Sequence, residues 1–189
     1  MKLKIGGYMK SDVEQLSTYK SVHLNKNNLK THFVGIPAII WAVMALMSLL
    51  RFPLEGLDFH VTFAMIFVLG VLVYYFFLNT KLAMGTVLFI LPILASAEIL
   101  VRSHDNSALI ALGVFTVGWI FQFIGHGYEK AKPAFVDDIN QLLIGPFFLM
   151  AELFFILGQE KALEDEITPI ALEKRKLFEA KKRESLQTK

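Results

Sequence analysis

Five apolar stretches joined by short polar turns leave this chain few ways to fold. Residues 33–50, 59–80 and 107–128 contain no Lys, Arg, Asp or Glu, and residues 82–101 contain only Glu98. Each is long enough to cross a hydrocarbon core of about 30 Å. In lipid every backbone N–H and C=O must find its partner inside the segment, so such stretches are expected to be helices. A mean hydropathy of +0.51 suits that setting and not an ordinary soluble domain. The fifth stretch, 139–158, differs: Gly145 and Pro146 interrupt it early and Glu152 sits in its middle. The expected fold is therefore an all-α integral membrane helical bundle. It has four spanning helices plus a fifth, broken apolar helix that packs on the bundle or crosses. Residues 1–32 form a cytosolic N-terminal segment, 33–158 the membrane domain, and 159–189 a charged cytosolic tail, expected as a solvated helix without a role of its own.

Charge orients the bundle. The first 32 residues carry Lys2, Lys4, Lys10, Lys20, Lys26 and Lys30 against Asp12 and Glu14, and the loop after residue 128 carries Lys130 and Lys132. The intervening turns on the other side carry Arg51 and Arg102. The excess of Lys and Arg places the N-terminus and the loop at 129–138 in the cytosol. With three crossings between them, the start of the first span and the end of the fourth share a membrane face. His23, His32 and His126 then lie together, and His60 and His104 lie about 30 Å away across the bilayer.

Chemistry concentrates where those three meet. Gln122, His126 and Glu129 follow one another at four and three residues, so a continuous helix stacks them on one face. His23 and His32 are nine residues apart, which one unbroken helix would point in opposite directions. The Asn-rich break at 25–28 is expected to fold them together. Three imidazoles, with Glu129 as a fourth ligand or a supporting carboxylate, suit Fe(II) with dioxygen and equally suit zinc. Asn28, Gln122 and Asp137 or Asp138 are placed to orient the rings. Plainer roles stay open: interfacial histidines, Glu129 paired with Lys130 or Lys132, and Gln122 bonding a neighbouring helix. The alternative function is then a transporter or scaffold in which the cluster only holds helices together, or another metal-dependent lipid-modifying enzyme. A diiron desaturase would carry HxxxH and HxxHH boxes, which this sequence lacks. A formal net charge of +2 gives no field for nucleic acid, cysteine is absent, and no phosphate-binding glycine loop calls for an organic cofactor.

Two clusters carry a resemblance. One runs from Tyr19 to Pro37, with His23, Asn25, Asn28, His32 and Gly35; the other runs through Gly118, Trp119, Gln122, Gly125, His126, Glu129, Pro133, Ala134, Asp138, Gln141 and Pro146. Over roughly residues 15 to 160 the chain resembles the family of small membrane proteins typified by the fungal endoplasmic-reticulum 2-hydroxy fatty acid dioxygenase. That resemblance implies an Fe(2+)-dependent oxidoreductase of fatty acid α-oxidation, with His23, His32 and His126 essential. Its partners would be a 2-hydroxy fatty acid, dioxygen and the lipid bilayer. The fungal pattern has a second histidine directly after the first, where this chain has Leu24, which leaves Glu129 or water to fill the place. The segment from His126 to Pro133 is also one residue shorter here. These departures suggest a prokaryotic branch, hence a bacterial inner membrane, or the endoplasmic-reticulum membrane if the source is eukaryotic, with the site facing the cytosol. Lys20, Lys26, Lys30 or Lys132 would attract the carboxylate head.

Overall fold

The computed structural model describes residues 10–56, 60–136 and 138–187. Within them a short helix α1 (Asp12–Lys20) leads into α2 (Lys26–Met47), and α3 (Phe63–Leu78), α4 (Thr80–Ser103) and α5 (Ser107–Glu129) follow. A 3-10 turn at Ala134–Val136 precedes α6 (Gln141–Ile156) and α7 (Lys161–Gln187). The all-α membrane bundle stands. Large apolar side chains such as Leu88, Leu109 and Leu69 point outward from it, as a bundle facing lipid tails requires.

The candidate spans number three among the described residues, or four if the bent pair α6 and α7 counts as one. Among the described residues, α2, α4 and α5 are each long and apolar enough to cross. Helix α3 is apolar but has 16 residues, about 24 Å at 1.5 Å per residue. Its first turn is lost to a two-stranded antiparallel hairpin, β1 (Arg51–Pro53) with β2 (His60–Thr62), where a plain turn is expected. The hairpin pairs backbone groups that a loose turn at the end of α2 would leave unsatisfied. Near the end of α4, Glu98 joins three elements. Its buried carboxylate accepts hydrogen bonds from Ser48 Oγ at 2.7 Å and Thr62 Oγ1 at 2.5 Å, binding α2 and β2 to α4.

Helix α6 is the most deeply buried element, and Phe147, Phe148 and Ile144 lie in a core with Tyr75, Leu82 and Leu16. It is continuous through Gly145 and Pro146. The chain then breaks at Gly158 (φ 72°) and Glu160 (φ 49°), and α7 leaves at 119° to α6. The expected solvated tail is a docked helix. Leu163, Ile167 and Ala171 recur every four residues and are buried, forming one apolar stripe.

Glu152 pairs with Lys20, whose ammonium also sits 5.5 Å from the centre of the Phe155 ring. Both side chains are nearly buried, at 10% and 12% exposure. Removing one member of such a pair strands the other charge, at a cost of about 3–5 kcal/mol. Glu152→Ala should therefore lower the unfolding midpoint clearly, whereas the double replacement Lys20→Met with Glu152→Leu recovers most of the loss. Equal midpoints for Glu152→Ala and wild type would show that the pair contributes nothing.

Candidate metal centre

The three histidines arrive from three segments. Ser21 to Asn25 form the turn between α1 and α2, closed by the His23 N–H donating to Lys20 O at 2.9 Å. The His23 ring stacks on Tyr19 with centroids 4.2 Å apart and planes 7° from parallel. Asn25 caps α2, its side chain accepting from Asn27 N, so His32 falls in the second turn of that helix. His126 comes from the last turn of α5. Their rings lie 4.4 to 5.0 Å apart, and one nitrogen from each fits within a mutual 4.8 Å. All three are buried.

Helices α2 and α5 run antiparallel in close contact, and glycine makes that approach possible. A Cβ on Gly118 would stand 2.7 Å from Ile39 Cγ1, and one on Gly125 would stand 3.1 Å from His32 Nδ1. Small residues where helices cross in lipid let the backbones close in this way.

Hydrogen bonds fix which nitrogens are free. His23 Nδ1 lies 2.6 Å from Tyr19 O and His32 Nδ1 lies 2.9 Å from Asn28 O. A carbonyl only accepts, so both Nδ1 atoms carry the proton and both Nε2 atoms present a lone pair. Those two Nε2 atoms are 2.9 Å apart. His126 Nδ1 is buried close by with no partner. Lone pairs held this close repel unless a cation lies among them. Burial, then the neighbouring His32 and His126, hold the His23 ring well below the ordinary histidine range, so a proton is poorly suited to that place. A divalent metal fits the donor set: neutral imidazoles with Nδ1–H donated to backbone carbonyls are the usual ligand state.

The remaining expected residues divide. Glu129 stands outside the three-histidine group. Its Oε2 accepts from Asn25 N at 2.8 Å and Asn28 Nδ2 at 3.2 Å, and its Oε1 accepts from Arg175 Nη1 at 3.2 Å. Asn28 also donates to Val22 O at 3.2 Å, bracing the turn that carries His23. Gln122 touches no ring nitrogen through a hydrogen bond; its Nε2 is buried and unpartnered. Asp138 accepts from Lys10 at 2.7 Å and from Asn140 N at 3.1 Å, at the foot of α6 and not on the rings. Asp137 lies outside the described residues. His60 and His104 are exposed, one in β2 and one capping α4. Two residues that touch the site were not foreseen. Tyr19 could have been found by its position four residues before His23. Arg175 was hidden in a tail whose apolar stripe is masked by its charge.

Beside the histidines a cleft is lined by His23, Gln122, His126, Trp119, Gly145 and Pro146. It shares Ile39, Ile40, Trp119, Leu142 and Pro146 with an apolar cavity of about 390 Å³ that reaches Phe67, Val68 and Ile90 deeper in the bundle. The buried histidines, an unpaired amide and a greasy cavity thus share one wall. That suits a ligand with a polar head and a long apolar tail, since binding sites are mostly apolar with a few placed polar groups.

Comparison with known proteins points the same way. The sequence profile described as "2-hydroxy-palmitic acid dioxygenase Mpo1-like" matches residues 9–157. The chain is similar to the 2-hydroxy-palmitic acid dioxygenase MPO1 of Saccharomyces cerevisiae, with 33% identity over 146 residues, covering 76% of this chain and 80% of that protein. No solved structure gives a significant match.

Proposed function

This chain belongs to the Mpo1-like family, and from that premise we propose that it is an Fe(II)-dependent dioxygenase of 2-hydroxy fatty acids. The observation that carries this reading is the trio of His23, His32 and His126 with two Nε2 lone pairs 2.9 Å apart, beside an apolar cavity. The reaction balances without a further reductant: R–CH(OH)–COOH and O2 give R–COOH, CO2 and water. The C1–C2 bond breaks, C2 becomes the new carboxyl carbon, and dioxygen takes up all four electrons. Bound iron would supply the site at which dioxygen and the substrate's two oxygens come together.

The chain's own residues do the rest. Tyr19 O and Asn28 O hold the His23 and His32 rings in the tautomer that ligates. The cavity takes the acyl chain and keeps water from it. Gln122 Nε2, buried without a partner, donates to an oxygen of the 2-hydroxy acid. Glu129 acts on the rings through Asn25 and Asn28 and not as a ligand. By the lysine asymmetry the site opens toward the cytosol.

The test is purified protein in lipid nanodiscs, loaded anaerobically with Fe(II), then given 2-hydroxypalmitate and oxygen. Pentadecanoic acid should appear in step with oxygen consumed. Gln122→Leu should raise KM about ten- to a hundredfold, the worth of one hydrogen bond to a charged group, with a smaller change in kcat. Oxygen-independent turnover, or no shortened acid from a fully iron-loaded protein, would falsify the assignment.

A further inference from the structure

The family match ends at residue 157, yet a side chain beyond it reaches the site. We propose that α7 is a strap that completes the metal centre, with Arg175 the positioning residue that sets the orientation of the histidine-bearing segments. This rests on the metal reading of His23, His32 and His126.

The side chain of Arg175 is 15% exposed, and its guanidinium makes contacts in three directions. Its Nη1 donates to Glu129 Oε1 at 3.2 Å, its Nη2 to Glu129 O at 2.9 Å, and its Nε to Glu179 Oε1 at 2.7 Å. The contact to Glu129 O satisfies one of the carbonyls that α5 leaves orphaned at its C-terminus. The contact to Oε1 neutralises a carboxylate whose side chain is 3% exposed. The other carboxylate oxygen, Oε2, accepts from the N–H of Asn25 and from Asn28, where the positive end of the α2 dipole also favours a negative charge. One ion pair therefore closes α5 and α2 together at the level of His126 and His32.

The neighbouring residue fastens the strap to the third segment. Lys174 Nζ donates to Glu14 Oε1 at 2.8 Å, Ser17 Oγ at 3.0 Å and Thr18 Oγ1 at 2.7 Å, all on α1. The last turn of α1 carries Tyr19, whose ring and carbonyl hold His23. Two consecutive side chains of α7 thus index all three segments that carry the histidines.

Without Arg175, Glu129 is left with two neutral donors in a buried place, and such a carboxylate neutralises or turns outward. Asn28 then keeps only Val22 O of its two acceptors, and the carbonyl that orients His32 is held less firmly. Loss of a partner behind a ligand typically costs ten- to a hundredfold in metal affinity.

The experiment measures Co(II), as a spectroscopic substitute for iron, in the full chain: its absorption bands and its release rate into excess chelator. Arg175→Ala should release cobalt about ten- to a hundredfold faster than wild type, Arg175→Lys should fall between, and added guanidinium should slow release from Arg175→Ala. Lys161→Ala, which breaks only pairs within α7, should behave as wild type. Wild-type release rates in Arg175→Ala and Arg175→Lys overturn the strap alone. So does faster release that guanidinium leaves unchanged, because that reports only a loosened helix. Should Arg175→Ala fail to fold, Arg175→Lys decides: wild-type release there overturns the proposal. A wild-type chain that takes up no cobalt or iron overturns the metal reading and the strap with it.

Discussion

His126→Ala is expected to leave a folded protein that binds iron too weakly to keep it through purification and forms no shortened acid. A structural metal held by four protein ligands is bound with about 10–16 kcal/mol, or about 2.5–4 kcal/mol for each ligand. Loss of one donor from a set of three then costs about two to three orders of magnitude in affinity. His23→Ala and His32→Ala should do the same, because each contributes one lone pair to the same point. The fold should tolerate all three changes, since neutral buried rings that point lone pairs at one another give little stability without a metal. His60→Ala and His104→Ala are the controls, both exposed and at the far end of the bundle. Iron content after anaerobic purification decides the matter. Three alanine variants that retain stoichiometric iron would remove the centre from consideration, whatever their activity.

The grouping of those histidines was legible because it needs only the count of crossings. Apolar length gives helices, each helix reverses the chain, and His23, His32 and His126 fall on one side. The break at Asn25 was legible too, as an N-cap residue between two helical patterns. What could not be foreseen depends on partners far along the chain. Nothing near Glu129 announces Arg175, 46 residues away, and a carboxylate three residues after a histidine gives no sign in the sequence that its oxygens accept from Asn25, Asn28 and Arg175. The tail looked solvated because its charges outweigh Leu163, Ile167 and Ala171 in any average, though their spacing is helical. Helix α3 looked like a full span because composition does not distinguish an apolar strand from the first turn of an apolar helix, and Val61 and Thr62 suit either. The unpaired state of Gln122 was not legible for a further reason. Pairing is a property of neighbours, and the amide lies against Gly35 beside the cleft, where its Nε2 meets no acceptor.

The second large effect concerns a residue with no side chain. Gly125→Ala is expected to abolish metal binding while the bundle persists. A Cβ there would meet Asn28 Oδ1 at 2.5 Å and His32 Nδ1 at 3.1 Å, and would also strike Thr31 Oγ1. Thr31 can rotate away. Asn28 and His32 cannot, because Asn28 is held by Glu129 and Val22 and His32 by the Asn28 carbonyl. The added methyl therefore pushes α5 from α2 at the level of the site, and overpacking of this kind costs about 1–3 kcal/mol. That is a tolerable loss for the fold, but a shift of even about 1 Å between His126 and His32 separates donors that a metal must reach together. Gly127 provides the control two residues along the same helix. A Cβ there meets nothing within 4 Å, so Gly127→Ala should keep its iron and gain about 0.5–1 kcal/mol from the better helix former. The pair separates crowding from helix propensity, because both substitutions add the same methyl to the same turn of α5. Iron retained equally by Gly125→Ala and Gly127→Ala would mean that the close approach of α2 and α5 does not set the site. Iron lost only in Gly125→Ala would place the metal where His32 and His126 face each other across a gap that a hydrogen atom fills and a methyl group cannot.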